Sequence, residues 1–172
     1  MQEGIGLLKI IEIFSSLNFE ALMQVYSQSN IQSGADSYQN LSASEQLINA
    51  QQDYYAFLRE FLRQRGAFCA VWEENGRYLS ALRIEPYRDG LLLEGLETHP
   101  NMRRNGYATK LIESVCDYLK ISEPIILYSH IANDNIASIA VHKSCGFEKK
   151  ADIAHYIDGS VSSKASTYIK RI

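Results

Sequence analysis

Two short segments in the second half of the chain carry residue types that could do chemistry. The first, "HPNMRRNGYATKLI", places two arginines and a glycine directly before an apolar helical pattern. The first N–H groups of a helix have no partner within the helix, and the helix dipole favours negative charge there. Gly106 would let the backbone approach a ligand closely, and Arg103 and Arg104 would add charge-assisted hydrogen bonds. The segment predicts a phosphate or pyrophosphate site, although a solvated capping turn has the same pattern.

The second segment is "NDNIASIAVHKSCGFEK". Its polar residues Asn135, Ser138 and His142 are three and then four positions apart, so they line one face of a helix whose remaining surface is apolar. A polar stripe on a buried helix needs partners, and a capping asparagine with two water-facing side chains is the simpler alternative. Neither segment has the spacing of the nucleotide-triphosphate loop or of the three-glycine dinucleotide fingerprint.

The elements that must position these segments follow from hydrophobic periodicity. Strands are predicted at residues 7–14, at three successive runs between 67 and 98, at 124–131 and as a pair around Asp158-Gly159. Helices are predicted at residues 19–29, 44–65, 104–119 and 135–145, and the polar segment 29–45 is predicted to be a mobile loop. The dipeptides Asn75-Gly76 and Asp89-Gly90 are typical hairpin turns, so the three central strands form an antiparallel meander. The order indicates an α+β, or mixed α/β, fold around one sheet.

Composition narrows the classes of function. The 172 residues are 46% hydrophobic with a net charge of −3, which predicts one domain over residues 1–172 and no nucleic-acid partner. No signal peptide or membrane-spanning run is evident, so we expect a cytoplasmic protein without a membrane partner. The cysteines Cys69, Cys116 and Cys145 each lie in an apolar pattern and are expected to be buried thiols rather than disulfides or metal ligands. No metal site is predicted.

The first segment resembles the acetyl-CoA-binding motif of the GNAT superfamily of N-acetyltransferases, Gln/Arg-x-x-Gly-x-Gly/Ala. The match rests on Arg103, Gly106 and Ala108. The second segment is similar to the family's later block, in which a helix that follows an asparagine ends in Gly-Phe. The resemblance covers about residues 66–157 and implies a mostly antiparallel sheet that splays between its fourth and fifth strands, flanked by helices.

The resemblance also implies how acetyl-CoA would be held. The pantetheine arm would lie between the strands at residues 91–98 and 124–131, bonded by the amides of Leu96 and Thr98. The pyrophosphate would be held by the segment Arg103, Arg104, Asn105, Gly106, Tyr107 and Ala108, and the helix face with Asn135, Ser138 and His142 would complete the site. Backbone amides on a strand and a helix end suit this role because they are fixed before the ligand arrives.

Acetyl transfer to an amine needs a neutral nucleophile and a proton for the departing thiolate. Many family members carry a tyrosine for that proton where this chain has His142, which could donate the proton, orient a water or serve only in packing. For the base, Glu97 is the candidate. Glu94 and Glu97 are three positions apart on a strand and are predicted to point to opposite faces, and a merely solvated carboxylate is the alternative.

The resemblance implies an N-acetyltransferase that uses acetyl-CoA without a metal and acts on a small-molecule or peptide amine. The N-terminal helices and the loop at 33–42 would form the acceptor pocket, with Tyr54, Tyr55, Tyr87 and Tyr156 as liners, and a homodimer is compatible with this reading. Two alternatives stay open. One is a catalytically silent acyl-CoA-binding or sensing module, which the missing tyrosine favours, and the other is an unrelated anion-binding α+β domain.

Overall fold

The computed structural model describes residues 6–120 and 123–172. The strands are β1 (Leu7–Ile11), β2 (Phe68–Glu74), β3 (Arg77–Tyr87), β4 (Gly90–Thr98), β5 (Ile126–Ala132), β6 (Glu148–Ala151), β7 (Ala154–His155), β8 (Val161–Ser162) and β9 (Ala165–Arg171). The helices are α1 (Phe19–Val25), α2 (Ser27–Ser37), α3 (Ala43–Phe61), α4 (Tyr107–Leu119) and α5 (Ile136–Ser144), with 3-10 turns at Phe14–Ser16 and Pro100–Met102. This is the predicted mixed α/β architecture.

In the described residues seven strands form one sheet in the order β1-β2-β3-β4-β5-β9-β6, and β7 and β8 form a separate two-stranded hairpin. Neighbouring strands of the large sheet are antiparallel except β4 and β5, which are parallel. The predicted meander is therefore confirmed as β2-β3-β4. Its first turn has Asn75 and Gly76 both at positive φ, as a two-residue type I′ hairpin requires.

The sheet splays between its fourth and fifth strands, as the family resemblance implies. Within the described residues, β4 and β5 pair at only two positions, Leu91 with Leu127 and Leu92 with Tyr128. Beyond Leu92 the β5-facing edge of β4 has no strand beside it, and unpaired backbone groups on such an edge require other partners. The strands thus open a gap that widens toward the start of α4.

Helices pack on both faces of the sheet. On one face Leu111, Ile112 and Val115 of α4 pack against Leu82 and Ile84 of β3. The opposite face packs against α1 and α3, in a second cluster that contains Leu22, Val25, Leu58, Phe61, Cys69 and Ala81. The three cysteines are buried free thiols, as the sequence predicts. The gap between β4 and β5 therefore has helices of both layers beside it.

The prediction of a mobile loop at residues 29–45 is wrong, because residues 27–37 form helix α2. Its stability comes from α3 rather than from its own polar sequence. Gln46 of α3 donates from Nε2 to the carbonyls of Tyr38 and Leu41, at 3.1 and 3.0 Å. Gly34 approaches α3 so closely that a Cβ there would lie 2.6 Å from the Gln46 carbonyl oxygen. Tertiary packing of this kind overrides weak helix propensity.

The start of α4 and the last pair of strands also differ from the sequence-based prediction. Helix α4 begins at Tyr107 rather than at residue 104, because Arg104 and Gly106 both have positive φ and cannot continue a helix. The predicted pair of strands around Asp158-Gly159 is the short β7-β8 hairpin. The strands that complete the large sheet, β6 and β9, lie outside it along the chain.

Candidate functional site

The gap between β4 and β5 is a cavity of about 910 Å³. It runs from the bend before α4, along β4 and β5, to the inner face of α5. Eleven of the twelve predicted site residues line it: Leu96, Glu97, Thr98, Arg103, Arg104, Gly106, Tyr107, Ala108, Asn135, Ser138 and His142. The twelfth, Asn105, does not line the cavity. The two segments singled out by their sequence therefore meet on one cavity.

The bend before α4 presents free backbone groups to one end of the cavity. Gly106 is the N-cap residue with φ of 78°, and among the described residues no side chain caps the helix and no acidic residue lies in its first turn. The space around Gly106 is open, because a Cβ there would meet no atom of residues 6–120 or 123–172 within 4 Å. An uncapped helix start beside Arg103 and Arg104 is suited to an anion, and its fit to a pyrophosphate rests on these features.

Two side chains of the bend have structural partners. Asn105 donates from Nδ2 to the carbonyls of Met102 and Arg103, at 3.1 and 3.3 Å, and so closes the loop instead of facing the cavity. Arg103 donates from Nη1 to Gln28 Oε1 at 2.7 Å. Because Gln28 belongs to α2, this bond connects the bend to the helical layer on the opposite face of the sheet.

His142 lies at the other end of the cavity and is buried, 1% exposed. Its Nδ1 lies 2.8 Å from the carbonyl oxygen of Ser138, which can only accept, so Nδ1 carries the proton. Burial lowers the pKa of His142 below its usual range, and the bond to Ser138 offsets part of that effect. The ring is therefore neutral at pH 7, and Nε2 accepts from the hydroxyl of Ser129 at 3.1 Å.

Ser129 was not among the residues that sequence reasoning singled out. It is 3% exposed and lines the cavity. On β5 it lies two positions from each of the buried residues Leu127 and Ile131 and shares their inward face, so it is the polar member of that set. A polar residue at an inward position of an otherwise apolar strand face is the signal that could have identified Ser129. Helix α5 itself is mostly exposed, and Ile136 is 70% exposed, so the prediction of a largely buried helix is wrong.

The prediction that Glu94 and Glu97 point to opposite faces is also wrong. Glu94 is opposite Arg83 and Glu97 is opposite Ala81, so the single residue Leu82 of β3 faces two residues of β4, Gly95 and Leu96. The extra residue is a β-bulge at Gly95, whose φ is 59°. Arg83 and Ala81 share a face of β3 because they are two positions apart. The bulge therefore brings both carboxylates to the same face.

The two carboxylates have different surroundings. Burial raises the pKa of Glu97, and Ser29, Arg103 and Arg83 offset part of that rise. Glu94 lies 3.8 Å from Arg83 Nη2, and it bonds to the buried Glu85, whose pKa is raised to about 7 by burial first and by Glu94 second. Glu97 is nearer the arginine-rich bend, and its raised pKa suits a base.

A second cavity of about 410 Å³ opens from the same stretch of β4 toward α1, α2 and α3. Gly95 and Glu97 line both cavities, so the two meet there. Its other lining residues are Tyr26, Ser29, Asn30, Ser33, Ala50, Asp53, Tyr54, Phe57 and Arg83. Of the tyrosines predicted to line an acceptor pocket, only Tyr54 does so here. Tyr55 packs against Phe14 and Phe19, and Tyr87 and Tyr156 flank His130.

Comparison with known proteins connects this geometry to a family. The family model of the Acetyltransferase (GNAT) family matches residues 34–147. The chain belongs to the GNAT family of acetyltransferases. Membership in this GNAT family implies acyl transfer from acetyl-CoA, for which the larger cavity offers an uncapped helix start and an unpaired strand edge. No curated protein matches the chain.

Solved structures share the GNAT fold at low identity. The ribosomal-protein-S18-alanine N-acetyltransferase from Escherichia coli has a TM-score of 0.62 and 17% identity, over 96% of this chain and 94% of that one. A ribosomal-protein-alanine N-acetyltransferase from Brucella melitensis has a TM-score of 0.63 and 19% identity, over 95% and 99%. The PaiA N-acetyltransferase from Thermoplasma acidophilum, solved in complex with coenzyme A, has a TM-score of 0.63 and 11% identity, over 96% and 99%.

Over residues 6–120 and 123–172, no three His, Cys, Asp or Glu side chains are grouped so that they could hold a metal ion. In the same part of the chain, no helix combines the length and apolarity needed to cross a bilayer.

Proposed function

We propose that this protein is an N-acetyltransferase that moves the acetyl group of acetyl-CoA to a primary amine of a small molecule or peptide, by direct attack in a ternary complex. The observation that carries the proposal is the single cavity of about 910 Å³ that joins an uncapped helix start to the buried His142 through the gap between β4 and β5. Acetyl-CoA supplies the activated acyl group.

The binding roles follow from the groups that line each part of the cavity. The first backbone amides of α4, with Arg103 and Arg104, would hold the pyrophosphate. The free edge of β4, including the amides of Leu96 and Thr98, would bond the pantetheine arm as an added strand. The exposed start of α5, with Asn135 and Ser138, forms the opposite wall.

The proton transfers can be assigned to three side chains. An amine that arrives as an ammonium loses two protons on becoming an amide, one to solvent and one to the departing sulfur. Glu97 would take the first and release it to water, which its raised pKa favours. Neutral His142 would take the second at Nε2 through the Ser129 hydroxyl, which gives up its own proton as it receives that of the nitrogen. As the C–S bond breaks, the same relay would return a proton to sulfur.

One observation favours the silent-module alternative. Both ring nitrogens of His142 already have partners within the protein, Ser129 and the Ser138 carbonyl, so the ring can serve packing alone. Turnover decides between the two. Release of free CoA thiol in the presence of an amine panel supports the enzyme, whereas binding of acetyl-CoA without release for any amine supports the module.

Binding is tested by the melting temperature. A ligand at about 100 times its Kd stabilises the folded state by about 2.7 kcal/mol, which raises the Tm of a chain of this size by about 5–10 °C. Arg103→Glu should abolish the shift, because it places a carboxylate at the anion site. His142→Ala should keep the shift and lower turnover. No shift at millimolar acetyl-CoA would overturn the proposal.

A further inference from the structure

Arg83 on β3 is a buried cation with few partners. Its side chain is 14% exposed, and its five N–H donors make one hydrogen bond to the described residues, from Nη1 to Tyr54 Oη at 2.7 Å. In the part of the chain that the structure describes, the buried Nε has no hydrogen-bond partner. A desolvated guanidinium is costly unless its donors are satisfied, so this arrangement is incomplete by itself.

Glu94 does not supply a hydrogen-bond acceptor for the guanidinium of Arg83. The closest approach is 3.8 Å, from Nη2 to Oε2, which is longer than a charge-assisted hydrogen bond of about 2.7–2.9 Å. Glu94 is instead beside Glu85, where it adds to the rise that burial causes in the pKa of Glu85. Aromatic rings hold the guanidinium in place, with Cζ 4.9 Å from the centroid of Phe57 and 5.7 Å from that of Phe61.

The guanidinium lies where the two cavities meet. Gly95 lines both cavities, and a Cβ on Gly95 would lie 2.7 Å from Arg83 Nη1. Glu97, the second shared residue, interacts with the charge of Arg83. An acceptor in the smaller cavity can therefore reach a carboxylate base and a cationic fork at the same time.

We infer that the acceptor carries a carboxylate beside its amine, and that Arg83 binds this carboxylate while the amine faces Glu97. The inference rests on the proposed function, since it names the class of acceptor for that reaction. The planar fork of arginine matches the two oxygens of a carboxylate, which would supply acceptors for the donors that the protein leaves unused. Free α-amino acids have this pairing of groups.

The smaller cavity suits such a molecule in its other properties. Its volume of about 410 Å³ fits a single amino acid, and Tyr26, Tyr54 and Phe57 offer flat apolar walls for a side chain. Asp53 at the rim is engaged by the hydroxyl of Tyr38. Among the described residues that line this cavity, Arg83 supplies the positive charge.

The test compares acceptors that differ only in the carboxylate. With saturating acetyl-CoA, CoA release is measured for L-phenylalanine, L-phenylalaninamide and phenethylamine, and for the same three forms of leucine and glutamate. We expect at least one amino acid to be acetylated with a kcat/KM about 100-fold above that of its amide and its decarboxylated amine. Arg83→Met should remove that preference, and Arg83→Lys should restore only part of it, because a point charge lacks the fork.

Arg59→Met is the matched control, since Arg59 lies on the outer side of α3 and lines neither cavity. It should keep the preference. An acetyl-CoA Tm shift equal to wild type shows that each variant is folded and binds the cofactor. Where turnover is too slow to rank acceptors, binding to the CoA-saturated protein is measured by calorimetry, and carboxylates should bind more tightly than amides.

The outcomes separate this inference from the proposed function. Acetylation of amines or amides as efficient as that of amino acids overturns the role of Arg83 and leaves the acetyltransferase proposal intact. Equal binding of carboxylates and amides also overturns it. Failure of acetyl-CoA to bind overturns the proposed function itself.

Discussion

A substitution at Gly106 tests whether the bend before α4 is shaped for a ligand or only for the chain. The hairpin turn between β2 and β3 provides a matched position, Gly76. The two glycines have φ of 78° and 77°, and a Cβ on either would meet no atom of the described chain within 4 Å. They differ in that Gly106 lines the larger cavity and Gly76 does not.

Because the two glycines have the same conformation, their substitution should cost the folded state a similar free energy. Replacing a left-handed glycine with alanine costs about 1–2 kcal/mol, so Gly76→Ala and Gly106→Ala should each lower the Tm of the free protein by about 2–8 °C. Ligand stabilisation should separate them. Wild type and Gly76→Ala should gain about 2.7 kcal/mol at acetyl-CoA about 100 times the wild-type Kd, whereas Gly106→Trp should gain nothing and Gly106→Ala distinctly less than wild type.

The assay is differential scanning fluorimetry with and without acetyl-CoA, with Gly76→Trp as the bulk control. Equal acetyl-CoA shifts in Gly106→Trp and Gly76→Trp would refute the reasoning, because a tryptophan at the helix start must occupy the space that a pyrophosphate needs. Loss of the shift in Gly76→Trp would refute it as well, since that residue lies outside the cavity.

Three further predictions concern single side chains. Ser129→Ala should lower kcat by about 10²-fold and leave the acetyl-CoA Tm shift unchanged, because it breaks the relay to His142. Steady-state kinetics measures kcat, and an unchanged kcat contradicts the relay. Glu97→Gln should lower kcat/KM by a similar factor and remove the acidic limb of its pH profile, since the wild-type rate falls as pH drops through the raised pKa of that carboxyl; a retained limb assigns the base elsewhere. Burial raises the pKa of Glu85 from 4.5 to about 7, so the folded state binds its proton more tightly and the wild type loses stability as pH rises through that interval. Glu85→Gln lacks this titration, so its Tm relative to wild type should rise between pH 5 and 8 in parallel melts, and a constant difference contradicts the shift.

Much of the candidate site could be predicted because its determinants are local. The bend at residues 103–108 and the helix after it are contiguous in sequence, and the spacing of Asn135, Ser138 and His142 already fixes them on one helix face. The β2-β3 turn is likewise encoded by the Asn75-Gly76 pair. The partner of His142 Nε2 was not predictable, because Ser129 comes from strand β5 rather than from the helix that carries His142.

The residues that sequence reasoning missed depend on distant contacts. The register of β4 changes at Gly95, where the left-handed glycine is accommodated by packing against Arg83 of the neighbouring strand. Strand periodicity alone therefore assigned Glu94 and Glu97 to the wrong relative faces. Arg83 itself lies between the apolar residues Leu82 and Ile84, so a charge within an apolar run was a signal, but its partners come from α3.

The sequence by itself determined the two motifs, the turns and the order of most elements, because backbone preference and hydrophobic spacing act over a few residues. Tertiary structure alone decided that a polar segment becomes α2, that a bulge turns two carboxylates to one face, and that a buried arginine lies between two cavities. These features depend on pairing and packing between residues far apart along the chain, whose free energies no local pattern records.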